Sequence, residues 1–190
     1  MPRVAVFAGV LILMLTLFRV LRAIWLPELP NFSPIAALAF CGGLFLPGWI
    51  AWALPIGALV ASDIVLSVML GFSPLSGGQL IVWASIAGIV GIGRGLALCR
   101  DFSLPRFFGV LIGCGVAFYV VTNTGAWLMN PAYPRGIDGL WMSLTTGLPG
   151  YPPSWIFFRN SLVSDLLFGS LLLAVRVLVQ VGELRQAREA

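Results

Sequence analysis

Residues 49–70 read WIAWALPIGALVASDIVLSVML, and Asp63 is the only charged side chain in this block. At 1.5 Å per residue, a helix of this length covers about 33 Å, enough to cross the hydrocarbon core of a bilayer. Backbone N–H and C=O groups find no water inside lipid, so they must pair within the segment, as they do in a helix. We therefore predict a transmembrane helix here, with a kink at Pro55.

Comparable apolar blocks recur along the chain, separated by loops rich in proline and glycine. They cover residues 1–25, 34–46, 79–98, 105–128 and 155–181. Together with the first block, they predict an all-α membrane protein with six transmembrane helices, the second of them short. No internal repeat or soluble domain is visible, so we expect one transmembrane domain at residues 1–181 and a polar cytoplasmic tail at residues 182–190.

The composition of the whole chain agrees with a membrane protein. Hydrophobic residues make up 59% of the 190 residues, charged residues make up 9%, and the mean hydropathy is +1.01. A soluble domain carries about 25% charged residues. The shortage of charge is too large for a surface that faces water, and the lipid bilayer is therefore an expected partner.

The basic residues predict the orientation of the chain in the membrane. All eleven are arginines, they outnumber seven acidic residues, and several lie in the loop between the fourth and fifth blocks or in the tail. Cytoplasmic loops carry an excess of basic residues, so both regions are predicted to be cytoplasmic and the 71–78 and 129–154 loops to face outward. These arginines are Arg94, Arg100 and Arg106 in the loop and Arg185 and Arg188 in the tail.

The short second block leaves two topologies open. If residues 34–46 span the membrane, Arg3 is cytoplasmic and the loop at residues 26–33 faces outward. If the block is re-entrant, the N-terminus is external and Arg19 and Arg22 lie near the cytoplasm. We favour six spans because that arrangement gathers the unusual polar residues in one region.

Several classes of function are excluded by the residue types. The chain has no histidine, which removes the commonest general base and the usual zinc and haem ligands. Its three cysteines lie in apolar blocks without metal-binding spacing, and its sparse arginines do not form the basic face that nucleic-acid binding needs. Catalysis by an Asp63–Asp165 pair is disfavoured because neighbouring arginines would keep both carboxylates ionised, whereas such a pair must share one proton. We expect no enzymatic activity, no cofactor, no metal and no nucleic-acid partner.

The candidate site consists of polar residues placed inside or beside the apolar blocks. Charged side chains in a membrane are costly unless they are paired or solvated, and they often mark functional sites. If all six blocks span, Asp63 lies about 10 Å and Asp165 about 15 Å below the outer ends of their helices. The candidate residues are Arg19, Arg22, Asn31, Asp63, Asn123, Trp127, Arg159, Asn160 and Asp165.

This cluster has two interpretations, which the residues alone leave open. Arg–Asp pairs can hold membrane helices together as structural contacts. Alternatively, the same charges can surround a pocket that is accessible to water beneath the outer loops. Glycines of the fourth and fifth blocks are predicted to let helices pack closely, and tryptophans at block ends are predicted to form interfacial belts. The glycines are Gly88, Gly91, Gly95, Gly109 and Gly113.

Three stretches carry a family resemblance: NFSPIAALAFCGG at 31–43, TNTGAW at 122–127 and FRNSLVSD at 158–165, together with Asp63 and Tyr133-Pro134. The chain resembles an uncharacterised family of small bacterial inner-membrane proteins. That family is similar in turn to the S components of energy-coupling-factor transporters, which capture vitamins and other micronutrients. The resemblance implies an S-component-like bundle in the bacterial inner (plasma) membrane, a small-molecule solute as ligand and an energising transporter module as partner.

These observations lead to one leading function and one alternative. The leading hypothesis is a membrane protein that binds a small polar or amphipathic solute from the outer face for uptake. The alternative is a scaffold or assembly subunit that transports nothing, in which the buried Arg–Asp pairs are structural and the outer loop engages a protein.

Overall fold

The computed structural model of the chain describes residue 13 and residues 17–26, 28–71, 73, 75–99 and 102–189. Most of the predicted first helix, residues 1–12 and 14–16, and Arg100 of the basic loop lie outside this part. Within it the chain forms seven helices, which confirms the all-α prediction. The first, α1, covers residues 17–25 and is followed by α2 (Ile35–Phe45), α3 (Ile50–Leu70), α4 (Gly77–Ala97), α5 (Leu104–Met129), α6 (Ile137–Leu144) and α7 (Ser154–Glu189).

Four of the described helices are long and apolar enough to cross a membrane, which supports the prediction of a membrane protein. They are α3, α4, α5 and α7 as far as Gly182. Their ends agree with the predicted blocks to within two residues, except that α7 continues eight residues beyond the predicted end, to Glu189. The predicted polar tail therefore starts as an extension of this helix. With 11 residues, α2 is the short apolar helix that the sequence predicts.

Local signals in the sequence explain where the long helices begin and end. The Ser76 hydroxyl accepts the backbone N–H of Gln79 and so caps the start of α4, where the first N–H groups have no helical partner. Ser103 accepts the backbone N–H of Arg106 in the same way at the start of α5. Gly71 ends α3 with a φ of 73°, in the left-handed region that glycine adopts without steric cost.

The short helix α2 forms the centre of the bundle. Every residue from Ile35 to Gly43 is buried, and the helix packs against α3, α4, α5 and α7. The ring of Phe40 lies 5.3 Å from that of Phe107 in α5, centroid to centroid, and both side chains are fully buried. Because α2 is apolar on all sides, it is stable only when it is surrounded in this way.

Glycines let α2 lie directly against α4. A Cβ atom added to Gly43 would lie 2.2 Å from the carbonyl oxygen of Val90, and one added to Gly93 would lie 2.3 Å from that of Phe40. These distances are shorter than any carbon–oxygen contact, so neither position accepts a side chain. Contacts of this kind are typical of closely packed membrane helices.

Among the residues that the structure describes, the packing role predicted for the other glycines of α4 and α5 is not found. A Cβ atom added to Gly88, Gly95, Gly109 or Gly113 meets nothing within 4 Å. At Gly91 it would make only an ordinary contact, 3.5 Å from the Trp52 ring. Spacing alone did not reveal which side of the helix faces a neighbour, because both α4 and α5 are apolar all round.

The two ends of the bundle differ in their connections. One end carries the 71–76 turn and the 130–153 loop with α6, and we call it the loop end. Hydrogen bonds hold this loop on α5: Trp127 Nε1 donates to the Pro134 carbonyl over 3.0 Å, and the Tyr119 hydroxyl donates to the Leu144 carbonyl. Tyr133 is a buried residue of this loop, and its burial raises the pKa of its phenol.

Candidate functional site

A cavity of about 300 Å³ lies inside the bundle, between the loop end and the start of α2. Residues of α1 to α5 and α7, and of the segment that joins α1 to α2, form its wall, so it is a meeting point of distant parts of the chain. The wall combines guanidinium, carboxylate, amide and hydroxyl groups with apolar side chains. It consists of Arg19, Arg22, Asn31, Ser33, Ile35, Ala36, Leu59, Leu66, Gln79, Val82, Gly115, Phe118, Thr122, Ser161 and Asp165.

Arg19 and Asp63 form an ion pair on one side of the cavity. The Arg19 Nη2 lies 2.6 Å from the Asp63 Oδ1, and Arg19 Nη1 donates to the Ser62 hydroxyl. The other carboxylate oxygen of Asp63 accepts from the Gln79 amide and, over 2.7 Å, from Trp83 Nε1. This buried carboxylate thus has three donor side chains from two other helices, and its charge is balanced by Arg19.

Arg22 lies one helical turn after Arg19 and also contributes to the wall. Its Nη1 donates to the Leu29 carbonyl over 3.1 Å. Its Nε is buried and has no hydrogen-bond partner. Among the side chains that the structure describes, it is the only buried nitrogen or oxygen atom in this condition. No described carboxylate forms an ion pair with Arg22. Among the described residues, the guanidinium therefore has a charge without a counter-ion and a donor without an acceptor.

Asp165 lies deep in the cavity, 11 residues into α7 and so about 16 Å from the start of that helix. It is 2% exposed and accepts the backbone N–H of Ala37, in the first turn of α2. A negative charge at a helix N-terminus interacts favourably with the helix dipole and satisfies an N–H that has no helical partner. At the opposite end of α2, Arg94 Nη1 donates to the Leu46 carbonyl over 3.0 Å, which is the complementary arrangement.

The segment before α2 is attached to α7 through three successive polar contacts. The Asn160 amide donates to the Pro30 carbonyl over 3.0 Å, and the Ser161 hydroxyl donates to the carbonyl of residue 31 over 3.3 Å. Ser164 then donates to the Ser33 carbonyl over 2.9 Å. The residue numbers rise together along the two partners, from 30 to 33 in the segment and from 160 to 164 in α7. The segment therefore runs parallel to α7, from the loop end toward the middle of the bundle.

Four of the sequence-predicted residues line the cavity, and two more support it. Arg19, Arg22, Asn31 and Asp165 belong to the wall. Asp63 binds Arg19 and Asn160 fixes the segment that carries Asn31. The identity of Asn31 also has a backbone reason, because its φ of 58° lies in the left-handed region that asparagine tolerates better than most residues.

The structure places the other three predicted residues outside the cavity wall. Asn123 donates to the Tyr119 carbonyl one turn earlier in α5, over 2.9 Å. Trp127 binds the 130–153 loop, as described above. Arg159 lies over the Trp155 ring, 5.5 Å from its centroid, and donates to the Asn160 side chain. Arg159 therefore forms no ion pair with either buried aspartate.

Several residues of the site were missed by sequence reasoning. Ser62, Gln79 and Trp83 complete the hydrogen bonds of the Arg19–Asp63 pair, and Ser161 contributes a hydroxyl group to the wall. Neutral polar residues near helix ends are common in membrane proteins, so their presence gave no signal. The spacing of Gln79 and Trp83, four residues apart on one face of α4, was the available clue.

The chemistry of the wall suits reversible binding of a polar molecule. Among the described residues, no three His, Cys, Asp or Glu side chains come together in an arrangement that could hold a metal ion. The groups that line the cavity are hydrogen-bond donors, hydrogen-bond acceptors and ionisable groups, together with apolar side chains.

No curated protein and no solved structure matches the chain. A family model does match: DUF6580, described as a family of unknown function, covers residues 1–187. Because that match includes all but the last three residues, the chain belongs to the DUF6580 family.

Proposed function

We propose that this protein binds a small polar or amphipathic solute in the cavity for uptake across the bacterial inner membrane. The observation that supports the proposal is the cavity itself, which holds Arg19, Arg22 and Asp165 around a volume of about 300 Å³. Polar groups that converge on a concave, partly apolar wall are typical of small-molecule sites. Charged residues within membrane helices are also costly and by default indicate a functional site, such as a solute pathway.

The proposal includes an orientation and a mode of uptake. The loop end faces outward, and the opposite end, with Arg94, the 98–103 connection and the C-terminus, is cytoplasmic. The solute then enters from the outside, beneath the loop that carries α6. The resemblance to S components supports capture of a vitamin or another micronutrient, with an energising transporter module as the partner that drives release to the cytoplasm.

A variant that fills the cavity tests the proposal. Gly115 belongs to the wall, and a Cβ atom there would lie 3.4 Å from the Asp165 Oδ2 in ordinary contact. Gly115→Val adds two further methyl groups in the space beside this carboxylate. Gly113→Val is the matched control, since position 113 lies on the same helix and a Cβ atom there meets nothing within 4 Å.

The measurement is native mass spectrometry of the protein purified in detergent, followed by identification of small molecules released on denaturation. We expect the wild type and Gly113→Val to carry a small molecule that Gly115→Val lacks, with all three proteins folded. If Gly115→Val retains the same molecule as the wild type, the cavity is not the binding site and the proposal fails.

The scaffold alternative is supported by one specific observation. The Asp63 carboxylate is satisfied by Arg19, Gln79 and Trp83, so this pair needs no ligand to be stable. A scaffold would copurify with a protein partner, and no small molecule would distinguish the wild type from Gly115→Val. The same purification therefore separates the two functions.

A further inference from the structure

The two unpaired charges of the cavity wall are the features that Arg–Asp pairing does not explain. Arg19 is balanced by Asp63, but Arg22 and Asp165 each lack an ionic partner among the described residues. Both line the same cavity, yet they form no ion pair with each other. Their charges are opposite and both are partly or wholly removed from water.

The guanidinium of Arg22 has hydrogen-bond donors that are only partly satisfied by the described residues. A guanidinium has five N–H donors in a fixed planar fork that matches a carboxylate or a phosphate. Here the Leu29 carbonyl accepts from Nη1, whereas the buried Nε has no acceptor. A buried donor without an acceptor is destabilising, so an acceptor supplied by a ligand would remove that cost.

Asp165 supplies the complementary acceptor at the deep end of the cavity. Its side chain is 2% exposed, and one of its oxygens lies where a Cβ atom on Gly115 would touch it. The glycine thus leaves open space in front of the carboxylate. A carboxylate in that position binds a group that donates hydrogen bonds, such as a hydroxyl, an amide or an ammonium group.

The rest of the wall combines apolar side chains with neutral polar ones, among them Gln79 and Thr122. Leu59 of α3, Val82 of α4 and Phe118 of α5 all contribute to it. The Arg22 end lies nearer the loop end than Asp165, because Arg22 bonds to Leu29 of the connecting segment whereas Asp165 lies about 16 Å along α7. The cavity therefore has a guanidinium toward the loop end, a carboxyl group at its deep end, and both apolar and polar side chains in the remaining wall.

We infer that the solute is a small organic anion, whose carboxylate or phosphate binds the Arg22 guanidinium and whose other end donates hydrogen bonds to Asp165. This inference rests on the proposed function and names the chemical class of the ligand for the same cavity. In the bound solute, the anionic group points toward the loop end and the donor group lies deepest, at Asp165. A solute that enters from the loop end with its donor group first reaches this position without turning in the cavity. The donor end therefore leads and the anionic end follows.

The probe for this inference is the water-soluble, low-molecular-mass fraction of an extract from the expression host. A cavity of about 300 Å³ is at the small end of the volumes of ligand pockets, so only small molecules need to be tested. The extract is passed over immobilised protein in detergent, and retained molecules are eluted by denaturation and identified by mass spectrometry. We expect the wild type to retain carboxylates or phosphates that also carry a donor group. Arg22→Gln should retain them about tenfold less, as expected for the loss of a charge-assisted hydrogen bond.

Three further proteins make the result specific. Arg22→Lys keeps the charge but loses the planar fork, so retention should fall between that of the wild type and that of Arg22→Gln. Arg135→Gln is the control for loss of one positive charge, since Arg135 binds the Leu128 carbonyl outside the cavity and its loss should leave retention unchanged. Gly115→Val supplies the background for a filled cavity.

The outcomes separate failure of the inference from failure of the proposed function. If the wild type retains nothing above Gly115→Val, the solute-binding function itself is wrong. If it retains neutral or cationic molecules, or if Arg22→Gln retains the same anions as the wild type, solute binding stands and the assignment of an anion to Arg22 is overturned.

Discussion

Asp63 illustrates how one charged residue is accommodated in a block of apolar sequence. Its two oxygens accept from Arg19, Gln79 and Trp83, and the side chain is 6% exposed. An isolated carboxylate in such surroundings would be strongly destabilising, because it loses its hydration without compensation. The opposite charge and the two neutral donors compensate for that loss together, and they connect α1 and α4 to α3.

Removal of this carboxylate should therefore destabilise the bundle. Asp63→Ala leaves the Arg19 guanidinium without its counter-ion, and breaking one side of a buried pair lowers the free energy of unfolding by about 3 kcal/mol or more. Thermal unfolding of the purified protein in detergent measures the effect as a lower midpoint. Asp138→Ala, at an exposed position in α6, is the control and should leave the midpoint nearly unchanged. Equal midpoints for the two variants would show that the Asp63 network contributes little.

At this scale, the sequence predicted the charged members of the site better than their partners. Arg19 and Asp63 stand out because charge is rare in an apolar block, and the structure brings them together. The partner of Arg159 could not be predicted. Both the Trp155 ring, one turn earlier, and a distant aspartate are possible partners for its guanidinium, and the sequence does not show which contact is more favourable. Gln79 was missed because a neutral amide near a helix start is unremarkable in composition.

At the scale of helices, α2 differs most from an ordinary membrane span. It has 11 residues, it is buried over most of its length, and polar groups from other helices bind at both of its ends. Asp165 accepts an N–H at its start and Arg94 donates to the Leu46 carbonyl just after its end. Both contacts place the favourable charge at an end of the helix dipole and so stabilise α2. A helix of 11 residues would be only marginally stable without such contacts.

The contact between α2 and α4 should depend on the absence of a side chain at one position. Gly93→Ala places a methyl group 2.3 Å from the Phe40 carbonyl oxygen, which forces the two helices apart and should lower the free energy of unfolding by about 1–3 kcal/mol. Gly95→Ala introduces the same methyl group two residues later, where it meets nothing within 4 Å. The higher helix propensity of alanine should leave that variant as stable as the wild type or more stable.

Thermal unfolding in detergent of the two alanine variants, side by side, gives the comparison. A midpoint for Gly93→Ala at or above that of Gly95→Ala would mean that α2 and α4 are not in backbone contact. The sequence located these helices to within two residues because apolar blocks have sharp ends, but it did not identify the packed glycines. That distinction depends on which face of α4 meets α2, and no periodic polar face marks it.

At the scale of the whole molecule, the path between α1 and α3 determines how many times the chain crosses the membrane. Residues 30–33 run parallel to α7 from the loop end, and α2 continues in the same direction until Leu46 reaches Arg94 near the opposite end. A stretch without helical structure is tolerated at membrane depth only where protein surrounds it. The hydrogen bonds from Asn160, Ser161 and Ser164 provide that environment. An extended segment and a short helix can thus replace one long helix, which is why length alone left residues 34–46 ambiguous.

This path predicts that both ends of the chain lie in the cytoplasm. If residues 26–46 cross the bilayer as one passage, the predicted first block at residues 1–25 supplies the first crossing and α7 supplies the sixth. An even number of crossings returns the chain to its starting side. Fusion of alkaline phosphatase, which is active only outside the cytoplasm, should give an inactive enzyme at either terminus, and a cytoplasmic fluorescent reporter should be active at both. The arginines at positions 94–106 favour a cytoplasmic location for that end of the bundle, since basic residues are enriched in cytoplasmic loops. An active phosphatase at the N-terminus alone would mean that residues 26–46 enter and leave by the same face of the membrane, and the six-span topology would be wrong.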